Sequence, residues 1–271
     1  MLPCIAIVYS LLGAEPTISE AAAQPDGTLR YAVTSDYQAG TTTIRMLLPD
    51  KYDSSRRYRV LLVLPVEAGD EHRYGDGLLE VKKLNVHNTH PLICVQPTFS
   101  HLPWYADHPT DPQIRQETYL LKVVLPWLKE HYPVRKDGAD WLLLGFSKSG
   151  YGAMSLLMRH PTVFGRAAAW DAPLDMQAPN KYGMQGIYET QENFDDYRIT
   201  TLLERDAARF HDPPARAGIF GYGNFREQMT AVHERMQRLG IAHEFRDGPW
   251  REHTWSSGWI PEAVEFLTEG E

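Results

Sequence analysis

Residues 140–152 read Asp-Trp-Leu-Leu-Leu-Gly-Phe-Ser-Lys-Ser-Gly-Tyr-Gly, and this stretch leaves the chain few ways to fold. Residues 141–144 form an apolar run of strand length that suits burial on both faces, and residues 151–160 read as a helix. A strand turning this sharply into a helix holds its tip residue in a strained backbone conformation, so the neighbours must be small. Gly145, Ser149 and Gly150 meet that need. The turn would raise the Ser147 hydroxyl above the sheet and aim the Lys148 amide, at the helix N-terminus, toward an oxyanion formed there. That is the layout of a nucleophile elbow. The competing reading is a glycine-rich strand-to-helix connection of another α/β protein.

The chain has 271 residues, enough for one α/β domain, which we place at 28–271. Its net charge of −8, without a long basic run, argues against nucleic acid or an anionic membrane as partner. Residues 4–14 are apolar and end in Leu-Gly-Ala, the pattern of a secretory signal without a preceding Lys or Arg, and residues 15–27 then read as a polar linker. Export to a secreted or periplasmic location is the expectation. A buried first strand in a cytoplasmic protein is the alternative, and the run is too short to span a bilayer. Of the two cysteines, Cys4 would leave with a signal and Cys94 sits in an apolar run, so no disulfide framework is expected.

Residues 29–34 and 42–48 alternate as an antiparallel pair at one edge of a sheet. The run 58–64 is a buried strand, followed by Pro-Val-Glu-Ala-Gly, where the amide of Val66 or Glu67 can supply a second oxyanion donor. Helices are expected at 77–84 and at 113–131, the latter accommodating Pro126 as a kink, with a strand at 92–95 between them. The loop 97–108 is rich in aromatic and hydroxyl groups. Trp104 and Tyr105 there, with Trp255 farther on, are candidates for substrate contact. A loop packed on its own rings is the other reading.

Strands at 165–170 and 216–222, a helix at 226–239, a strand at 243–246 and a closing helix at 259–267 complete the pattern. Residues 172–214 read as an excursion covering the site, with one helical piece near 202–210. Strand and helix alternate from residue 58 onward, which predicts an α/β fold with a mostly parallel sheet and helices on both faces. Among the 11 histidines, His253 falls on the loop after the last strand and is a candidate base, with a surface loop residue as its other reading, whereas His243 opens that strand.

The elbow 145–150, the Trp104-Tyr105 loop and the ending His253-Thr254-Trp255-Ser256-Ser257-Gly258-Trp259 resemble the esterase-D-like branch of the α/β hydrolases over roughly residues 40–268. The branch includes feruloyl and acetyl-xylan esterases, S-formylglutathione hydrolases and mycolyl transferases. The resemblance implies the α/β-hydrolase fold, Ser147 as nucleophile, His253 as base, the Lys148 amide in the oxyanion hole, and no metal or organic cofactor. One position departs from the pattern. Where the branch places Asp or Glu, after the strand ending at residue 222, this chain has Asn224, which can orient an imidazole but carries no charge. Asp171 follows the neighbouring strand and is the acid that topology permits, with a turn or helix cap as its competing role. Glu227 and Glu252 are weaker candidates.

The expected chemistry is acyl transfer from a small-molecule or carbohydrate-linked ester through an acyl-enzyme on Ser147. An acyltransferase, or a binding protein that has lost turnover, are the alternatives, the second suggested by Asn224. The Lys148 side chain reads as a solvated charge, with attraction of anionic acyl groups as its other role.

Overall fold

In the computed structural model the described residues are 14–270. The segment read as a secretory signal therefore lies, Ala14 apart, outside the described residues, as does Cys4. Ten strands form one sheet: β1 (Thr17–Ile18), β2 (Ala22–Ala23), β3 (Leu29–Thr34), β4 (Thr41–Leu47), β5 (Arg59–Val63), β6 (Leu92–Pro97), β7 (Trp141–Phe146), β8 (Arg166–Trp170), β9 (Ala217–Tyr222) and β10 (His243–Trp250). Their order is β1-β3-β4-β6-β5-β7-β8-β9-β10, with β2 also paired to β3. The run from β6 to β10 is parallel, and β3 and β4 join its β6 edge in antiparallel pairing.

The segment expected to be a polar linker supplies β1 and β2, which pair antiparallel with β3. Two-residue strands whose side chains are largely exposed carry no hydrophobic period, so the sequence gives no sign of them.

Burial of the parallel strands on both faces follows from their composition. In β5 and β7 the alternate residues Val60, Leu62, Trp141 and Leu143 enter one apolar cluster. Their neighbours Leu61, Val63, Leu142 and Leu144 enter another on the opposite face. Helices α1 (Gly77–Lys83), α2 (Val86–Thr89) and α10 (Ile260–Thr268) contribute residues to the second cluster. The first takes in α3 (Gln116–Tyr119), α4 (Leu125–His131), α5 (Lys148–Arg159), α6 (Gln185–Tyr188), α7 (Gln191–Tyr197), α8 (Ile199–Asp206) and α9 (Arg226–Arg238).

The long helix expected at 113–131 is α3 and α4 joined by a π-helical turn over Leu120–Val124. Pro126 is the second residue of α4, and its missing N–H and bulky ring cannot join a regular ladder, so the irregular turn before it takes up the mismatch. The excursion at 172–214 holds more helix than expected. Tyr188, Phe194, Ile199 and Leu202 are buried in the first cluster, so this segment completes a face of the core as well as approaching the site.

Glu117 ties that face together. Its carboxylate accepts two bonds from the Arg159 guanidinium (2.9 and 3.0 Å), one from the Tyr197 hydroxyl (3.2 Å) and one from His160. Burial alone would push this carboxyl up, but the hydrogen bonds from His160 and Arg159 and the arginine charge win and hold it down to about 2. A depressed carboxyl stabilises the fold at pH values above its ordinary value and loses that contribution as the pH falls through the folded one. The stability of the protein is therefore expected to drop between about pH 4.5 and 2, by up to roughly 3 kcal/mol from this group. Chemical denaturation of the wild type and Glu117→Gln across that range checks it: the variant should be less stable at pH 7 and show a shallower acid slope.

Candidate active site

The C-terminal ends of β5, β7, β8, β9 and β10 converge on one side of the sheet, where an open parallel sheet places ligands. Ser147 stands between β7 and α5 with φ 54° and ψ −125°, a strained conformation for a residue with a side chain. The sequence around it permits this turn. A Cβ on Gly145 would meet the Ser149 carbonyl at 2.2 Å, and one on Gly150 would meet the Ala172 methyl at 2.7 Å. Ser149 is wholly buried, and its hydroxyl accepts from the Phe146 N–H and donates to the Phe146 carbonyl, both at 2.9 Å, which pins the turn from inside.

The Ser147 hydroxyl donates to His253 Nε2 at 3.1 Å, and His253 Nδ1–H donates to Asp171 Oδ2 at 2.5 Å. A buried carboxylate facing Nδ1 dictates that tautomer and leaves Nε2 free to accept a proton. Asp171 is fully buried and has φ 39°. Its carboxylate also accepts from the backbone N–H of Asn224 (2.9 and 2.8 Å) and of Phe225 (2.8 Å). Burial pushes this carboxyl up, yet the bonds from His253 and from the amides of Gly223, Asn224 and Phe225 outweigh it and keep the group below its ordinary range, hence ionised.

Asn224 therefore reaches the site through its main chain, and its exposed side chain does not touch the imidazole. The turn after β9 that lacks an acid of its own offers its amides to the acid at the end of β8. Gly223 makes room for this, since a Cβ there would lie 2.6 Å from Asp171 Oδ2. Glu227 lies in the first turn of α9 and Glu252 is exposed; among the described residues neither bonds to His253.

Lys148 is the first residue of α5, so its N–H is among those that a helix leaves without an intrahelical acceptor. Val66 and Glu67 are buried in the loop after β5. Among the described residues neither of their N–H groups has a protein acceptor. The Glu67 carboxylate turns away to accept from the Arg73 N–H at 2.5 Å.

The three aromatic residues expected to contact substrate are placed differently. Trp104 and Tyr105 are 0% exposed and Trp255 is 2% exposed, so their rings form no wall that a substrate could meet. The loop around the first two packs on itself because Gln116, also fully buried, accepts from both of their N–H groups at 2.8 Å and donates to the Leu102 carbonyl at 3.0 Å. Tyr105 acts as a strut. Its hydroxyl donates to the Pro65 carbonyl at 2.6 Å, and its ring lies so close to α5 that a Cβ on Gly152 would come within 2.0 Å of it. Trp255 packs on Gly77 in the same manner.

The rings that do surround the imidazole are Phe146 (4.4 Å between centroids), Tyr74 (5.3 Å), Phe225 (5.6 Å) and Trp170 (6.2 Å). The exposed Tyr182 ring leans edge-on against Phe225, and the Trp104 indole N–H donates to the Tyr182 carbonyl at 3.3 Å. Sequence reasoning passed over Tyr74, Phe225 and Tyr182; the one available signal was the position of Phe225 beside Asn224. Among the described residues no group of three or more His, Cys, Asp or Glu could hold a metal ion, and no helix is long and apolar enough to cross a membrane.

A parallel sheet carrying a strained serine at one strand end, with an imidazole and a buried carboxylate in hydrogen-bonded line from two others, defines the α/β-hydrolase class. Residues 35–258 match the sequence profile of the family described as Putative esterase, and the chain belongs to that family. Two esterases of Mycobacterium tuberculosis, from strains CDC 1551 / Oshkosh and H37Rv, are each 25% identical to it over 138 residues, 49% of this chain. The match spans only 30% of the length of those curated relatives. Among solved structures, a ferulic acid esterase is similar with a TM-score of 0.67 at 18% identity, covering 93% of this chain and 97% of that one. The S-formylglutathione hydrolase of Staphylococcus aureus is similar with a TM-score of 0.66 at 14% identity, covering 94% and 100%. These likenesses establish the fold.

Proposed function

We propose that this protein hydrolyses carboxylic esters through an acyl-enzyme on Ser147. The observation that carries the reading is the unbroken relay from the Ser147 hydroxyl through His253 to the ionised Asp171. A serine hydroxyl is a weak nucleophile until a base takes its proton, and His253 Nε2 lies within reach to do so. As the hydroxyl adds to the ester carbonyl, His253 becomes an imidazolium that Asp171 stabilises, while the amides of Lys148 and of Val66 or Glu67 receive the oxyanion. Collapse of the tetrahedral intermediate expels the alcohol, protonated by His253, and water repeats the sequence to free the acid.

Family membership supports the ester as substrate. The exposed ring of Tyr182, packed on Phe225, which in turn meets His253, supports a substrate that carries an aryl group or the apolar face of a sugar. The reading in which the chain only binds substrate rested on Asn224, and that argument loses its force with Asp171 in hydrogen-bond contact with His253.

Treatment with a fluorophosphonate followed by peptide mass spectrometry tests the proposal. A single phosphonate adduct is expected on Ser147, formed at least 100-fold more slowly in His253→Ala, because the general base contributes about that much or more. Labelling at another residue, or none on Ser147, would overturn it.

A further inference from the structure

The residue after the proposed nucleophile carries a cation that the fold leaves without a counter-ion. Lys148 is half-buried, and its Nζ lies over the Tyr74 ring, 5.9 Å from the centroid. The Arg73 guanidinium sits over the same ring at 5.2 Å. That ring meets His253 edge to face at 5.3 Å, so the half-buried Lys148 amine and the exposed Arg73 guanidinium share a ring that borders the relay. Among the described residues neither is ion-paired.

The acidic groups of this loop are engaged elsewhere or solvated. Asp70 pairs with Arg30 at 2.6 Å, Asp76 pairs with Arg45 at 2.7 Å and with His72 at 3.4 Å, and Glu71 is exposed. Glu67 alone attracts Lys148, without ion-pair contact, and its carboxylate is bonded to the Arg73 amide. Burial pushes the Lys148 amine down despite that attraction. Desolvating an ammonium without a partner is unfavourable, and such groups gather where a ligand completes them.

We infer that Lys148 and Arg73 recognise an anionic group, a carboxylate or its equivalent, carried by the ester a few bonds from the scissile carbonyl. This rests on the ester-hydrolase reading and names the substrate class within it. Because the side chain of Lys148 starts one residue from the nucleophile, the anion lies close to the reacting centre, on the acyl or on the alcohol portion. Cation–π contact with Tyr74 holds both groups in place, so little side-chain freedom is lost when the anion binds.

Matched esters test this in two arms. For the acyl portion, p-nitrophenyl hydrogen glutarate is compared with p-nitrophenyl methyl glutarate; for the alcohol portion, 4-acetoxybenzoate is compared with its methyl ester. The kcat/KM ratio of anionic to neutral ester is expected to be about tenfold above one in at least one arm, chiefly through KM. It should fall toward one in Lys148→Met combined with Arg73→Gln, and in the wild type as salt rises from 0.05 to 0.5 M. Reading a ratio removes any general loss of rate in the variant; should the variant be inactive, the salt dependence of the wild type decides. A ratio at or below one in both arms, or one insensitive to both salt and the double substitution, would overturn the inference. Hydrolysis of the neutral esters without preference sinks this inference alone, whereas no hydrolysis of any ester sinks the hydrolase reading with it.

Discussion

Ser147→Ala is expected to lower kcat on a short p-nitrophenyl ester by about five to six orders of magnitude. The substitution removes the only oxygen that His253 Nε2 contacts among the described residues, and with it the acyl-enzyme route; what survives is the slower attack of water helped by the oxyanion amides. Fold and substrate affinity should change little, because the hydroxyl is small and, among the described residues, its sole side-chain bond is to the imidazole. Ser147→Gly separates activity from strain. Glycine tolerates a φ of 54° that costs a residue with a Cβ about 1–3 kcal/mol, so this variant should be as inactive as Ser147→Ala yet more stable by about 1 kcal/mol. Steady-state rates with a thermal or denaturant melt check both. An alanine variant retaining a tenth of the activity would exclude Ser147 as nucleophile.

The second large effect concerns the acid. Asp171→Asn is expected to reduce kcat by about 10⁴-fold, since a neutral amide neither selects the productive tautomer nor stabilises the imidazolium. Asn224→Ala should change kcat by no more than about twofold, because position 224 contributes its N–H and nothing from its side chain. Asn224→Pro keeps the exposure and removes the donor, so it should fall between the two. The opposite order, with Asn224→Ala inactive and Asp171→Asn active, would show that the relay runs through the other strand. Asp171 is also depressed below its ordinary value, so its share of stability is present above about pH 4 and fades as the pH drops toward the folded value.

Much of the site was legible because covalent neighbours encode it. The small residues Gly145, Ser149 and Gly150 announce a tight turn, and the Ser147 hydroxyl at its tip meets His253 Nε2. Asp171 could be named without coordinates because β8 and β9 are adjacent, so a carboxylate at one strand end reaches the ground left empty at the other. The burial of Trp104, Tyr105 and Trp255 was not legible. An aromatic residue in a proline-rich loop has the same local signature whether its ring faces water or core, and the difference was made by Gln116 and Gly152, distant along the chain. Tyr74 lies in a stretch without periodicity, and its place beside His253 arises from bonds that Thr254 Oγ1 and the Trp255 N–H donate to its carbonyl. The short edge strands at 17–18 and 22–23 were hidden for a similar reason: their pairing is all main chain.

Tyr105 has a consequence beyond packing. The loop after β5 and the helix after β7 reach the reaction centre from segments about eighty residues apart, and each could drift on its own hinge. One phenol spans the gap, with its hydroxyl on Pro65 and its ring against Gly152. The separation of the two segments is thereby gauged by a single aromatic side chain, a spacer with no soft internal coordinate. Changes to the outer surface of either segment leave that gauge untouched.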